Sequence, residues 1–154
     1  MSGSAARTVS AWIYPTSNAG VGTIYCSGAV AVYQLFELDF NQTLANNIYL
    51  VGDNSDVYTG TNSVTLNAWN HVVVVYGGGS ILNSTSARIY INGVDKTSNN
   101  AGAQAQTLNT ANSNYKIGSR AGSSQFFPGK IDDVRIYNRA LSAQEVQQLY
   151  SMGR

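Results

Sequence analysis

A stretch near the C-terminus decides the fold of this chain: residues 129–153 read GKIDDVRIYNRALSAQEVQQLYSMG. The β-branched and aromatic run from Ile131 to Tyr137 predicts a strand. A helix follows, because Ser142 and Glu145 have the spacing of a capping box, in which each side chain accepts a hydrogen bond from the other residue's backbone N–H. We therefore predict one strand and one short C-terminal helix over about residues 142–150, with Gly153 placed to end the helix.

The rest of the chain reads as short strands separated by loops of small polar residues. The aliphatic residues Val9, Ala11 and Ile13 alternate with Ser10, Trp12 and Tyr14, as a two-faced strand requires. Asn92-Gly93 is the strongest two-residue hairpin signal. Many short strands with turns between them indicate an all-β, two-sheet antiparallel sandwich. Further strands are predicted at 24–26, 30–33, 34–40, 48–51, 72–76, 88–91 and 94–96, with polar loops at 77–80 and 98–110.

The closing segment and several upstream blocks resemble the laminin-G-like, concanavalin-A-like lectin/glucanase jelly-roll family. The upstream blocks are TVSAWIYP at 8–15, LNAWNHVVVVY at 66–76, ARIYINGV at 87–94 and the weaker YKIG at 115–118. The resemblance covers Thr8 to Tyr150 and implies a jelly-roll sandwich that recognises carbohydrate or protein at a cell, matrix or virion surface. It specifies the fold far better than the function.

The resemblance also implies one or two strands ahead of the block at 8–15, lying beside the closing strand. Seven residues precede that block, too few for a hairpin. We therefore predict a tail or expression scar at 1–7 and a jelly-roll domain at 8–154 that lacks the family's first strands. An open edge beside Ile131–Tyr137 would pair with a partner chain or a second copy.

Composition narrows the functional classes. The chain has 154 residues, which suits one domain, and charged residues make up 11% with a net charge of +1, so nucleic acid is disfavoured as a partner. No apolar run reaches the roughly 20 residues of a membrane-spanning helix, and the N-terminus has no signal-peptide pattern. The resemblance, rather than the composition, implies an extracellular, virion-surface or cell-surface domain of a larger protein or assembly.

Catalysis is not expected from the acidic residues. The glucanases of this family carry two glutamates and an aspartate on one strand, and Glu37 and Asp39 share a strand face here. Gln42 stands where the general acid would be, and an amide cannot act as that acid. His71 has no neighbouring nucleophile motif, which favours a structural role. Glycoside hydrolysis is the remote alternative.

Binding is the function that the remaining residues favour, because aromatic rings stack on sugars while amides and carboxylates bind hydroxyls. Asp53 and Asp56 flank two further turn residues and suggest calcium as a cofactor, although such residues are equally typical of plain turns. The candidate ligand contacts are Tyr25, Tyr33, Tyr49, Tyr58, Asn54 and Gln125.

Two hypotheses therefore remain open. In the first, the chain is a non-catalytic binding module for carbohydrate. In the second, it is a structural or capsid-decorating subunit whose open sheet edge is completed by a partner chain.

Overall fold

The computed structural model describes residues 2–31, 33–52, 54–79, 82–102, 107–111, 115–120 and 124–153, without the side chains of 99–102. Within these residues lie eleven strands and one helix. The elements are β1 (Arg7–Pro15), β2 (Gly22–Gly28), β3 (Leu35–Phe40), β4 (Ile48–Val51), β5 (Ser55–Thr59), β6 (Asn70–Tyr76), β7 (Ala87–Ile91), β8 (Val94–Asp95), β9 (Thr97–Gly102), β10 (Lys116–Ile117), β11 (Gly129–Tyr137) and α1 (Ala143–Ser151).

The strands form two antiparallel sheets. One has the order β11-β1-β6-β7-β8 and the other β10-β2-β3-β4-β5-β9. Alternate side chains of each sheet meet in one shared core, to which β1 contributes Val9, Ala11 and Ile13 and β3 contributes Leu38 and Phe40. The predicted two-sheet jelly-roll sandwich is therefore confirmed.

The helix begins as the sequence predicts. Ser142 Oγ accepts from the Glu145 N–H (3.3 Å), and Glu145 Oε2 accepts from the Ser142 N–H (2.8 Å), which completes the capping box. Leu141 and Val146 lie on either side of the box and pack together against the outer face of the five-stranded sheet. Gly153 follows the helix with a φ of 76°, the left-handed conformation that suits glycine at a helix end.

The predicted strand at 30–33 is wrong. The Ala31 N–H donates to Ala29 O (2.8 Å), the Gln34 N–H donates to Ala31 O (2.9 Å), and Tyr33 has a φ of 60°, so the chain turns here from β2 into β3. Val32 lies outside the described residues. The apolar composition of this segment suggested a strand, but the antiparallel pairing of β2 with β3 requires a turn between them.

The predicted loop at 98–110 is also wrong in its first part. Residues 97–102 form β9, which pairs with β5 in the register Tyr58↔Asn99 and Asp56↔Ala101. The segment is small and polar, so its composition carries no strand signal. Backbone pairing with β5 determines its conformation instead.

Contacts of Arg7 hold the N-terminal residues against the sandwich. Arg7 is in β1 and is 1% exposed, and its guanidinium donates to Gly3 O (2.6 Å), Ala5 O (2.9 Å) and Thr110 Oγ1 (3.0 Å). Gly3 and Thr110 also exchange two backbone hydrogen bonds. The division into a tail at 1–7 and a domain at 8–154 stays a prediction.

Strand β11 lies at the edge of its sheet and, within the described part of the chain, pairs with β1. Its register with β1 shifts between Ser10 and Trp12, and Asp133 has a φ of 48° at this irregularity. Asp133 Oδ2 lies 2.7 Å from the guanidinium of Arg135.

No helix within the described residues is long and apolar enough to cross a membrane.

Candidate functional site

The side chains of β2 to β5 that point away from the core form a surface that we call the polar face. On β3, Glu37 and Asp39 alternate with the core residues Phe36, Leu38 and Phe40. The other members of the polar face are Thr23, Cys26, Leu35, Tyr49, Val51, Asp56 and Tyr58, as the strand registers and their mutual packing place them.

Two tyrosines stack at the centre of the polar face. Tyr49 on β4 lies directly opposite Tyr58 on β5, and their rings are parallel to within 5° with centroids 4.8 Å apart. Tyr49 is 5% exposed, whereas Tyr58 is half-buried. Tyr58 therefore presents the more accessible part of an aromatic surface.

Two buried carboxyl groups lie beside this tyrosine pair. Asp39 is opposite Tyr49, and both Asp39 and Glu37 are 0% exposed. Asp39 Oδ1 accepts a hydrogen bond from Thr23 Oγ1 (2.8 Å), and Arg120 Nε lies 3.5 Å from Glu37 Oε2. Burial, and then the neighbouring charge of Glu37, raise the pKa of Asp39 to about 8.

The hairpin of β3 and β4 concentrates polar atoms that lack a hydrogen-bond partner. Among the described residues, six buried side-chain atoms lack such a partner, and five belong to this hairpin: both oxygens of Glu37, Asp39 Oδ2, Gln42 Oε1 and Asn47 Nδ2. Buried polar atoms are nearly always hydrogen-bonded in proteins, because an unsatisfied one costs about 1–3 kcal/mol. This concentration marks the polar face as the candidate functional site.

The structure brings most of the predicted ligand contacts to the polar face or its ends. Asn54 Nδ2 donates to the Tyr33 hydroxyl (3.1 Å), next to the start of β3. Near the other end of β3, Gln125 Oε1 lies 3.4 Å from Thr23 Oγ1, the same hydroxyl that donates to Asp39.

Tyr25 is the exception. The register of β2 with β3 shifts between Thr23 and Tyr25, so Tyr25 pairs with the core residue Leu38 and points into the core. Its side chain is 1% exposed, and burial raises the pKa of its phenol to about 12. Tyr25 is therefore not available to a ligand on the polar face.

Of the two residues suggested for calcium, the structure describes only Asp56, so the calcium site stays a prediction. Asp56 is in strand β5 rather than in a loop, and its Oδ1 accepts a hydrogen bond from the Gly52 N–H (3.0 Å). Asp53 lies outside the described residues. Calcium requires six to eight oxygen ligands, and the described chain holds no group of three or more His, Cys, Asp or Glu side chains suited to a metal.

His71 lies under α1 on the opposite side of the molecule. Its Nε2 is 2.9 Å from Ser10 Oγ, and its ring lies against Trp12 and Tyr150, at centroid distances of 5.0 Å and 6.1 Å. Burial lowers the pKa of His71 to about 4. The sequence did not predict a serine beside this histidine, but both residues are 2% exposed, which favours the structural role expected for His71.

The sequence also failed to identify several polar-face residues as parts of a binding site. The sequence pattern suggested Glu37 and Asp39 only for catalysis, and it did not suggest Thr23 or Arg120 at all. The alternation along β3 was the available signal, because two carboxylates on one face of a strand whose other face is apolar must share their surroundings.

Comparison with known proteins places this geometry in context. No curated protein sequence matches the chain significantly. Among solved structures, the native heptameric SAP-like pentraxin from Limulus polyphemus is 21% identical, with a TM-score of 0.69 over 99% of this chain and 74% of the pentraxin chain. At this identity the likeness shows the fold alone.

Two further structures have the same kind of similarity. Domain 4 of AbnA, an extracellular arabinanase from Geobacillus stearothermophilus in complex with arabinotriose, is 23% identical, with a TM-score of 0.67 over 97% of this chain and 68% of that domain. The CBM40 of the Ruminococcus gnavus IT-sialidase, bound to α2,3-sialyllactose, is 16% identical, with a TM-score of 0.70 over 96% of this chain and 84% of that one.

A family model of the laminin-G type, described as the concanavalin A-like lectin/glucanases superfamily, matches residues 1–147. This match covers nearly the whole chain and agrees with the two antiparallel sheets. The chain belongs to the concanavalin A-like lectin/glucanase superfamily.

Proposed function

We propose that this chain is a non-catalytic carbohydrate-binding module and that the polar face is its ligand site. One observation carries the proposal: the stacked pair of Tyr49 and Tyr58 lies beside the buried carboxyl groups of Asp39 and Glu37, three of whose four oxygens lack hydrogen-bond partners. Ligand sites typically combine aromatic surface with a few polar groups that fix the orientation of the ligand.

The chemistry of the polar face suits a sugar. The half-buried ring of Tyr58 offers an apolar surface for the C–H groups of a pyranose or furanose ring. Asn54 and Gln125, at opposite ends of the face, offer amides for hydroxyl groups, and each amide both donates and accepts hydrogen bonds.

The similar structures support a carbohydrate ligand in general. The arabinanase domain is described in complex with arabinotriose and the CBM40 with α2,3-sialyllactose. These ligands belong to those proteins, and the identity of the glycan for this chain is left to experiment. A role at a cell, matrix or virion surface, within a larger protein or assembly, is part of the proposal.

The absence of catalysis is also proposed. Retaining hydrolysis needs a nucleophile and a separate general acid, and Gln42 offers an amide where the acid would be. Glu37 and Asp39 are both 0% exposed. Incubation with β-glucans and arabinans should release no reducing sugar above the blank, and turnover that disappears in Glu37→Gln would establish the remote alternative, a glycoside hydrolase.

A glycan array followed by calorimetry tests the binding function. The Tyr58→Ala variant should weaken binding of the best array ligand roughly tenfold or more, as expected for loss of an aromatic contact at the centre of a site. Tyr14→Ala is the matched control, because Tyr14 also belongs to an aromatic pair, with Trp69, but on the other sheet. Equal affinity of the two variants, or an array without any hit, would refute the proposal.

The alternative function is an assembly subunit. The observation in its favour is that β11 lies at the edge of its sheet and carries Ile136, which is 39% exposed. Self-association through this edge would appear in light scattering as a mass that rises with concentration and returns to that of the monomer in Ile136→Lys. A monomer at every concentration would leave the binding module as the sole proposal.

A further inference from the structure

The carboxyl groups of Glu37 and Asp39 are neighbours on β3 in the interior of the polar face. Both side chains are 0% exposed, and three of their four oxygens have no hydrogen-bond partner. The ion pair that reaches them among the described residues is that of Arg120 Nε with Glu37 Oε2, at 3.5 Å. One arginine thus stands against two buried carboxyl groups.

Two ionised carboxylates in this position would be unfavourable for two reasons. Like charges repel strongly where water is excluded, and one of the two charges would remain without a counter-charge. A carboxylate is also an acceptor only, so neither group could donate a hydrogen bond to the other. A proton on one of the two removes the second charge and provides the missing donor.

The other groups around the pair do not replace that proton. Across the neighbouring strands lie Cys26 on β2 and Tyr49 on β4, and Tyr58 follows on β5. Protonated thiol and phenol groups carry no charge. Lys116, opposite Cys26 on β10, and Asp56 on β5 carry opposite charges, and each lies two strands away from β3.

We propose that Glu37 and Asp39 form a single proton-binding site inside the polar face. The polar face keeps its structure while the proton is bound and loosens when alkaline solution removes the proton. The part of this inference that concerns glycan binding rests on the proposed function. The part that concerns stability does not depend on it. The raised pKa of Asp39, caused by burial and by Glu37, agrees with the geometry.

The proposal makes a signed prediction for stability. The unfolded chain loses the Asp39 proton near the ordinary pKa of 3.8, whereas the folded chain retains it until about 8. Between these two pH values the folded state binds one more proton at this site than the unfolded chain, so the contribution of the site to stability falls as pH rises and becomes constant above about 8. This contribution alone should increase the unfolding equilibrium constant about tenfold per pH unit in this range.

The Asp39→Asn variant tests this prediction because its amide donates permanently where the proton would. We expect the ratio of the wild-type to the Asp39→Asn unfolding constant to increase about tenfold per pH unit from about 4 to about 8. His71 and the titrating groups away from the pair are common to both proteins and cancel in this ratio, so the ratio reports the titration of the Glu37–Asp39 pair. Parallel pH profiles of the two proteins would overturn the proposal.

Infrared spectroscopy provides a second readout that does not require a folded variant. The C=O band of a protonated carboxylic acid should persist in the folded wild type at neutral pH and disappear above pH ~8. A spectrum without that band at neutral pH would overturn the proposal even if Asp39→Asn did not fold. Both measurements are made in chelator and are repeated with calcium in place of the chelator. If the protein were stable only with calcium, a metal ion and not a proton would balance the pair.

The ligand measurement separates this inference from the proposed function. Affinity for the best array glycan should decrease above pH ~8 in the wild type and remain constant in Asp39→Asn. If no glycan binds at any pH, the proposed function fails, while the stability ratio and the infrared band still decide the proton site. If glycan binds with the same affinity from pH 6 to pH 9, the loosening of the face is wrong.

Discussion

The outer faces of the two sheets differ in the kinds of side chain that they carry. On the five-stranded sheet, Val73 and Val75 of β6 pack against Leu141 and Val146, so the chain's own helix covers that face. On the six-stranded sheet, β3 directs Glu37 and Asp39 outward together with Leu35, and the β3–β4 hairpin holds five buried atoms without hydrogen-bond partners among the described residues.

The difference assigns stability to the helix-covered face of this molecule and the proposed function to the polar face. The helix-covered face is a second small core of apolar contacts, with hydrogen bonds of Ser10 to His71 and of Thr8 to Leu141 beside them. The polar face keeps polar groups at a cost to stability, and functional sites are where proteins commonly accept such a cost. The following experiments test this contrast, from the largest expected effect to the smallest.

Removing an apolar side chain under the helix should have the largest effect. Leu141 is 6% exposed, and Leu141→Ala should lower the free energy of unfolding by about 3 kcal/mol through lost burial and a cavity. Urea unfolding followed by circular dichroism measures this loss. The control Leu44→Ala, at a 37% exposed position of the β3–β4 loop, should change stability by less than about 0.5 kcal/mol. Equal losses would show that α1 does not form a second core.

The pH profile of the wild type should reveal both faces together. The folded-state pKa of His71 is lowered from 6.5 to about 4, so its contribution to stability rises with pH between those values. That of Asp39 is raised, so its contribution falls from about pH 4 to about pH 8. The two cancel below about pH 6.5, and stability should then fall by about 2 kcal/mol up to pH 8.

The His71→Asn variant separates the two contributions to that profile. Without the histidine, the decrease of stability with pH should begin near pH 4 rather than near pH 6.5, and urea unfolding at each pH unit measures it. A wild type whose stability increases from pH 6.5 to pH 8 would contradict the assignment for the polar face.

Loss of the helix cap should have a smaller effect. Ser142→Ala removes the acceptor for the Glu145 N–H and should destabilise the fold by about 1 kcal/mol. Thermal unfolding measures it. Ser151→Ala is the control, because Ser151 donates to Gln147 O from an exposed position and should cost no more than about 0.5 kcal/mol. If Ser142→Ala is as mild as the control, the capping box does not stabilise the helix.

Calcium should have the smallest effect. The Asp56 carboxylate already accepts from the Gly52 N–H, so millimolar calcium or chelator should leave the melting temperature of the wild type unchanged. A ligand of the native state raises stability with concentration. A melting temperature that rises with calcium in the wild type but not in Asp56→Asn would restore the site that the sequence suggested.

Local signals determined the parts of the fold that the sequence predicts well. The capping box from Ser142 to Glu145 spans four residues, and the hairpin turn at Asn92-Gly93 requires two left-handed residues, found here at φ 51° and 77°. The alternation in β1 likewise assigns Val9 and Ile13 to the core, as observed. Each of these features depends on neighbours in sequence, so the sequence by itself determines it.

Tertiary structure decided the candidate site. Tyr49 meets Tyr58, and Asp39 meets Tyr49, only because β3, β4 and β5 pair in one particular register. The register shift in β2 directs Tyr25 into the core, although Tyr25 lies in a strand-like segment as Tyr49 and Tyr58 do. A shift of register by one residue exchanges the two faces of a strand, and nothing local in these strands fixes the register. The sequence alone therefore determined a jelly roll with a capped helix, while long-range strand pairing decided which polar groups lie together without partners.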